Sequence, residues 1–409
     1  MSSIGISTSC SSKRPLDSPD SPSSVAVAAV PNVLRKLTTG LFSTYTGINE
    51  TYWAAQEVQS GLKERDARIL KSFKVDAPEG CFQVDIQGLL GEGANGEVHA
   101  VAVHEEGNPV QQYALKVAKV SQHPRHNDYF QRMLKQEVTV LREWNRLNPD
   151  AELALARLIR GPFLIDPDRI GFLQERYGRN LLQVYSEGSA GGLSLERTNS
   201  CAAQLVPALH ALEQEGMTHS DIKPENILYD ERRNRFCIAD AGSCVVGGEQ
   251  PNNPNQYVVS RWYRGPEVAY GKPYGPPLDK WSFGCTLFEM FTGKALLPAS
   301  NTPELKTMFP SLLGTAPDGF ISKPTTRFSL SAPLDHSRRE FFDATLASNS
   351  PTSDAEKHRD FKDFLNGIFK WEPVQRLTGA QMLSHSFLRK EEPAKVGGGM
   401  EAASSADSS

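Results

Sequence analysis

Eight residues, His219-Ser220-Asp221-Ile222-Lys223-Pro224-Glu225-Asn226, put an acid, a cation and an amide in one short stretch. An apolar pair, Ile227 and Leu228, follows at once. Asp221 can accept a proton from a hydroxyl nucleophile. Lys223 can neutralise a phosphate in transfer, and Asn226 can ligand a magnesium ion. A polar loop capping a helix would account for an isolated Asp or Asn. It does not account for the whole string Asp-x-Lys-Pro-x-Asn followed by Ile-Leu, which points to phosphoryl transfer with a metal.

Four other stretches carry related chemistry. Gly91-Glu92-Gly93-Ala94-Asn95-Gly96-Glu97-Val98 follows an alternating run, Phe82 to Leu90, and precedes another through Ala100, Ala102 and His104. A glycine-rich turn between two strands lets backbone N–H groups approach phosphates without Cβ clashes. A dinucleotide-binding turn would need a helix after the third glycine, and the alternation past Val98 disfavours it. Lys116 interrupts the apolar strand Tyr113–Val117 and needs a partner if buried there. Glu137 supplies one, on or near the apolar stripe (Phe130, Met133, Leu134, Val138, Leu141, Trp144) of a helix expected over 125–148. Asp240 ends the strand-like run from Phe236, where a carboxylate facing a cleft suits a metal. As an isolated residue it would read as a turn aspartate.

These residues must be held by regular elements. Strands are expected at Ala154–Ile165 and Ile170–Gln174, a connector at Glu175–Gly178, a helix from Leu181 and a long helix over 197–216. A Gly/Asn/Pro-rich loop, 243–256, leads to Tyr257-Val-Val-Ser260-Arg261-Trp262-Tyr263-Arg264-Gly265-Pro266-Glu267. Beyond it lie a buried helix from Asp279, a loop-rich stretch with short helical patches at 299–360, and helices at Phe361–Trp371 and Gly379–Leu388 with Arg376 between them. Residues 1–45 are Ser/Pro-rich with few large apolar anchors and read as disordered, as do 390–409. Residues 46–81 read as a partly helical extension, amphipathic over 51–72, and 82–389 as the folded domain.

The chain has 409 residues, 39% of them apolar, enough for a sizeable core. A net charge of −4 gives no electrostatic case for nucleic acid or an anionic membrane surface. No apolar run approaches the roughly 20 residues of a membrane helix, and Val25–Val30 is too short for a secretory signal. The six cysteines (Cys10, Cys81, Cys201, Cys237, Cys244, Cys285) lack CxxC spacing, which favours a reducing compartment, cytoplasm or nucleus. Ser18-Pro19 and Ser21-Pro22 fit an ordinary low-complexity tail better than phosphorylation sites.

In this order the motifs resemble the eukaryotic protein kinase family, over about residues 82–389. The matches are the glycine-rich 91–98, Lys116, Glu137, 219–226, Asp240–Gly242 and Gly265–Glu267, with Asp279 and the Glu267/Arg376 pair in support. Ser-Arg-Trp-Tyr-Arg before Gly-Pro-Glu is similar to the CMGC group; within it, Ser220 in place of the family's arginine and the run Gly284-Cys-Thr-Leu-Phe-Glu-Met-Phe-Thr-Gly-Lys294 most resemble the dual-specificity tyrosine-regulated, homeodomain-interacting and pre-mRNA-processing kinases. The resemblance implies a bilobal α+β fold. A small, mainly antiparallel β N-lobe (82–174) with one key helix would join through a hinge (175–178) to a larger, mainly α C-lobe (179–389). It implies ATP, Mg2+ and protein hydroxyl substrates, with a monomeric kinase domain. Asp221 would be the base and Lys223 the phosphoryl stabiliser, and Asn226 and Asp240 would hold the metal. Lys116, held by Glu137, would grip the phosphates under residues Leu90 to Val98. Adenine would lie between Val98 and Ala114 above and Leu228 below, its edge on the backbone of Glu175 and Tyr177, with Gln174 as gatekeeper. The Lys-Pro-Glu of the loop resembles Ser/Thr kinases.

Two departures matter. Ser220 stands where the family has an arginine that ligands an activation-segment phosphate. Tyr257 aligns with a phosphorylated tyrosine of the CMGC group, and Arg261 and Arg264 could ligand its phosphate instead. Ala241 stands where the family has a Phe that packs under the helix near Leu141 and His219, so a gap or a bulkier neighbour is expected. The gap motivates one rival reading, a pseudokinase that binds nucleotide without turnover. A small-molecule kinase is a second rival, disfavoured by the 260–267 segment.

Overall fold

The computed structural model describes residues 71–389, except 78–79, 94–95, 122, 167–168, 187–190, 249, 251–258, 322–335 and 350–354. The expected tails, 1–45 and 390–409, and most of the expected helix over 51–72 lie outside the described residues.

The first layer is a six-stranded antiparallel sheet in the order β1-β2-β3-β4-β6-β5. Its strands are β1 (Ser72–Ala77), β2 (Gly80–Glu92), β3 (Gly96–His104), β4 (Gln111–Ala118), β5 (Leu158–Asp166) and β6 (Arg169–Glu175). The two outer strands, β1 and β5, touch, so the sheet is curled. One face encloses a small core of Phe73, Val75, Phe82, Val84, Val101, Val103, Leu115, Val117, Phe163 and Leu173. Side chains alternate along a strand, so Val98, Ala100, Ala114 and Lys116 face the other way. That second face meets helix α1 (Pro124–Leu147), which has Pro at its first turn and packs on β4, β5 and β6. Phe130, Leu134, Glu137, Val138, Leu141 and Trp144 form its buried stripe. Each large apolar side chain there contributes roughly 1.5–3 kcal/mol by leaving water.

The expected boundary at 82 is displaced. Ser72–Ala77 pairs with β2 from Ser72↔Asp85 to Ala77↔Gly80, so the sheet begins ten residues earlier, inside the stretch 46–81 expected as a partly helical extension. Phe73 and Val75 alternate into the small core, a period of two just past the helix expected over 51–72. The strand expected from Ala154 starts at Leu158, and Leu155 makes only an isolated bridge to Ile238.

The second layer is mostly helical. A short strand β7 (Arg179–Asn180) leads to α2 (Leu181–Ser186), and α3 (Leu195–Gln214) is capped by Ser194 Oγ on the Arg197 N–H. Then come β8 (Met217–Thr218), the hairpin β9 (Ile227–Asp230) and β10 (Arg235–Ile238), and β11 (Val245–Val246). Helix α4 (Pro266–Ala269) precedes α5 (Pro277–Thr292), which is buried all round from Leu278 to Thr292, as a central core helix should be. Helices α6 (Thr302–Leu313) and α7 (Ser337–Ser348) lie in the stretch expected to be loop-rich with short helical patches. The last two are α8 (Ala355–Ile368) and α9 (Gly379–Ser384). Helix α8 thus starts earlier than Phe361, and Gly379–Leu388 ends as a separate 3-10 turn, Ser386–Leu388. Among the described residues no helix is long and apolar enough to cross a membrane.

Candidate active site

Two short ladders bring the chemistry together. In the β9–β10 hairpin Ile227 pairs with Ile238, so the residues just outside the ladder, Asn226 and Ala239, face each other. The Ala239 N–H donates to the Asn226 carbonyl at 2.8 Å, which delivers Asp240 beside Asn226. Asp230 turns the hairpin by accepting the N–H groups of Arg232 and Arg233. The β8–β11 ladder clamps the chain on either side, before His219 and after Cys244.

The stretch from His219 to Asn226 rests on Asp279, near the start of α5. Its buried carboxylate accepts the backbone N–H of His219 at 2.6 Å and of Ser220 at 2.9 Å. Burial pushes this carboxyl up to about 7, against the pull of those two N–H groups. Ser220 is held at φ +66°, a region a serine rarely adopts. His219 is buried, and burial lowers its pKa. Its Nδ1 accepts the Asp221 N–H at 3.2 Å, which leaves Nε2–H to donate to the Ala239 carbonyl at 3.0 Å.

Asp221 and Lys223 meet at 2.7 Å. Burial opposes the charge on Lys223, but the Asp221 carboxylate outweighs it and the pKa rises. Ser260 completes a triangle, its hydroxyl 2.8 Å from Asp221 Oδ1 and 3.0 Å from Lys223 Nζ. Asn226 Nδ2 donates to the Asp221 carbonyl at 2.8 Å and to its carboxylate at 3.0 Å. The amide oxygen of Asn226 is thereby turned away from Asp221.

Lys116 forms the other half of the site. Its Nζ lies 2.7 Å from Glu137 Oε1 and 2.9 Å from Asp240 Oδ1. Burial opposes the ammonium's charge, but the carboxylates of Asp240 and Glu137 together raise its pKa. The two carboxylates fare differently. The Glu137 side chain is 5% exposed, and burial pushes its carboxyl up to about 7 against the pull of Lys116. The Asp240 side chain is 46% exposed, and Lys116 draws its carboxyl down to about 2.

The glycine-rich turn closes the site from above. Gly91 pairs with Val98 and Glu92 with Glu97, and the Gly93 N–H meets the Gly96 carbonyl at 2.8 Å. A Cβ at Gly96 would come 2.5 Å from the Val117 carbonyl, so only glycine fits against β4. Ala94 and Asn95 lie outside the described residues. Leu90 is exposed at the rim, Ala114 is buried, and Val98 and Leu228 are half-buried. At the end of β6, Gln174 is buried, the Glu175 N–H is given to the Arg157 carbonyl at 3.0 Å, and the Tyr177 hydroxyl reaches the Glu175 carboxylate at 3.2 Å.

Tyr257 lies outside the described residues. Arg261 Nη1 donates to the Ser300 carbonyl at 2.5 Å, and Arg264 Nη2 to the Val259 carbonyl at 2.9 Å. The segment is anchored below by Glu267 and Arg376, paired through both oxygens at 2.8 and 2.6 Å. Sequence reasoning missed Ser260 and the left-handed Val259 (φ +63°). The serine immediately before Arg-Trp-Tyr-Arg was the available signal for the first, and nothing local signalled the second.

The curled sheet over a helical lobe, with a lysine–glutamate pair above and an Asp–Lys–Asn loop below, defines a class. A family profile, the protein kinase domain, matches residues 84–388, and the chain belongs to the protein kinase family. Its bilobal α+β fold is that family's. Among its relatives is Serine/threonine-protein kinase ppk5 of Schizosaccharomyces pombe, 30% identical over 318 residues, 75% of this chain and 36% of that protein. DYRK-family kinase pom1 of the same yeast is 28% identical over 315 residues, 75% of this chain and 28% of that protein. Dual specificity tyrosine-phosphorylation-regulated kinase 2 of Drosophila melanogaster is 28% identical over 327 residues, 76% of this chain and 42% of that protein. The chain thus matches well under half the length of each.

Proposed function

We propose that this chain transfers the γ-phosphoryl group of ATP to Ser/Thr hydroxyls of protein substrates. The observation that carries the proposal is the Asp221–Lys223–Ser260 triangle facing a closed Lys116–Glu137 pair. Phosphoryl transfer asks for positioning and charge neutralisation more than covalent chemistry. Asp221 orients the substrate hydroxyl and accepts its proton. Lys223 neutralises charge on the group in transfer, and Ser260 fixes both side chains. Lys116 holds the α- and β-phosphates, with the backbone from Leu90 to Val98 above them. Adenine packs between Val98, Ala114 and Leu228. Its edge meets the backbone of Glu175 and Tyr177, the Glu175 N–H being already given to the Arg157 carbonyl.

The donor set suits Mg2+, which takes one or two protein oxygens and completes its shell with phosphate and water. Asp240 and the amide oxygen of Asn226 supply those two oxygens. Bound there, the ion neutralises the phosphate charge.

Val259 supports a preference for proline after the target residue. A β-branched residue at φ +63° is strained by about 1–3 kcal/mol. Its carbonyl is consumed by Arg264. An N–H on the next substrate residue finds no acceptor there, and proline has no N–H to lose. Tyr257 is the proposed autophosphorylation site, with Arg261 and Arg264 as its phosphate ligands. Mass spectrometry that finds active protein unmodified at Tyr257, with Tyr257→Phe fully active, removes that branch. The segment would then be ordered without phosphate, a state the existing bonds of both arginines also suit. The five described cysteines are free, which suits a reducing compartment, cytoplasm or nucleus.

The pseudokinase reading has Ala241 in its favour, but every charged group the chemistry needs is in place. The test is transfer from radiolabelled ATP to a generic basic protein by wild type, Asp221→Asn and Lys116→Met. Transfer by wild type alone supports the proposal. Nucleotide binding without transfer to any substrate refutes it in favour of the pseudokinase.

A further inference from the structure

The turn after Asp240 has almost no side chain to offer helix α1. Ala241–Ser243 packs against that helix, and a Cβ at Gly242 would lie 3.6 Å from Glu137 Oε2. Ala241 is fully buried and ends at its Cβ. The link from the helix to the catalytic loop runs elsewhere. Trp144 sits seven residues after Glu137, two turns along the same face. Its ring stacks on His219 with centroids 5.8 Å apart and planes 27° from parallel. Both rings are wholly buried. The buried indole N–H finds no hydrogen-bond acceptor among the described residues, a cost a plain Leu or Phe would not carry.

His219 is the joint. One ring nitrogen holds the Asp221 N–H and the other the Ala239 carbonyl, one residue ahead of Asp240. The position of this ring therefore sets the catalytic base and the metal-binding aspartate relative to each other. Through Trp144 the ring is fixed to the helix that carries Glu137, the partner of Lys116. We propose that Trp144 is a positioning residue whose stack on His219 couples helix α1 to the catalytic loop, a task Ala241 has no side chain to perform. The effect on turnover rests on the kinase reading above, but the coupling itself does not.

The test is a cycle of Trp144→Ala, Ala241→Phe and the double variant, with Trp144→Phe as the conservative replacement. Two readouts are taken: kcat with KM for ATP, and amide hydrogen exchange over residues 219–221. Trp144→Ala is expected to lower kcat at least about tenfold per folded molecule, with KM for ATP changed less than about threefold. Exchange at 219–221 should speed up. Trp144→Phe should recover most of the loss. Ala241→Phe alone should lower kcat by overpacking, yet in the double variant it should raise kcat at least about threefold over Trp144→Ala. Unchanged kcat and exchange in Trp144→Ala overturn the proposal, as does a double variant no better than Trp144→Ala. If Trp144→Ala does not fold, Trp144→Leu against Trp144→Phe decides: equal kcat and equal exchange overturn it. A wild type that transfers no phosphate defeats the kinase reading, while the exchange cycle still decides the coupling.

Discussion

The Glu267–Arg376 pair gives a prediction whose size follows from its burial. Arg376 sits between α8 and α9, and its side chain is 0% exposed against 1% for Glu267. The guanidinium meets both carboxylate oxygens, adds the Pro277 carbonyl at 2.9 Å, and lies 5.1 Å over the Trp281 ring. Glu267→Gln keeps the shape of the pair and removes one charge, leaving a dry guanidinium without a counter-ion. Breaking a buried pair this way costs about 3–5 kcal/mol, a large share of the 5–15 kcal/mol typical of a folded domain. Arg376→Met strands the carboxylate and should cost a similar amount. The double variant strands no charge and should cost well below the sum of the singles, because most of each single loss is the penalty of the orphaned ion. The assay is equilibrium urea unfolding of all four proteins, read as midpoint and slope. The pair also anchors the segment that presents Ser260, so the folded fraction of Glu267→Gln should lose turnover as well. A loss below about 1 kcal/mol in Glu267→Gln, or a double variant that simply adds the singles, refutes the reasoning, since either means water reaches the pair.

Three further outcomes follow from the site. Ser260→Ala removes the hydroxyl shared by Asp221 and Lys223; it should lower kcat about tenfold, near one hydrogen bond's worth, leave KM for ATP alone, and be rescued by Ser260→Thr. Asp240 has a folded-state pKa of about 2 against an ordinary 3.8, so its contribution to stability is present above pH 3.8 and lost as pH falls toward 2; thermal unfolding midpoints of wild type should fall across that window more steeply than those of Asp240→Asn. Asp279 has the opposite sign. Its folded-state pKa of about 7 lies above 3.8, so its favourable share is full below pH 3.8 and lost as pH rises through 7; Asp279→Asn should flatten the fall in midpoint over that range.

What the sequence made legible depends on whether a residue's partner is announced by its own element. Lys116 stood out because a cation in an apolar strand must be paired, and Glu137 because it sits on or near an apolar helical stripe. They meet across 21 residues, with only the element order needed to bring them together. Asn226 and Asp240 were legible one at a time, but their convergence depends on the Ile227↔Ile238 register, which no residue type advertises. Ser260 reaches Asp221 across 39 residues, and a lone serine before an Arg-Trp-Tyr turn has many ordinary explanations. Val259 ran against local propensity. Its backbone takes a conformation its side chain disfavours, and the bond from Arg264 helps hold it there. Trp144 was read as one more apolar position. On the helix stripe it is one, and only the facing ring of His219 gives it another role. At Ala241 the sequence predicted either a gap or a bulkier neighbour. The helix chemistry that placed Trp144 on the buried face could not say which ring it would meet, because that ring arrives through the β8–β11 ladder and the Asp279 carboxylate, about 75 and 135 residues further on.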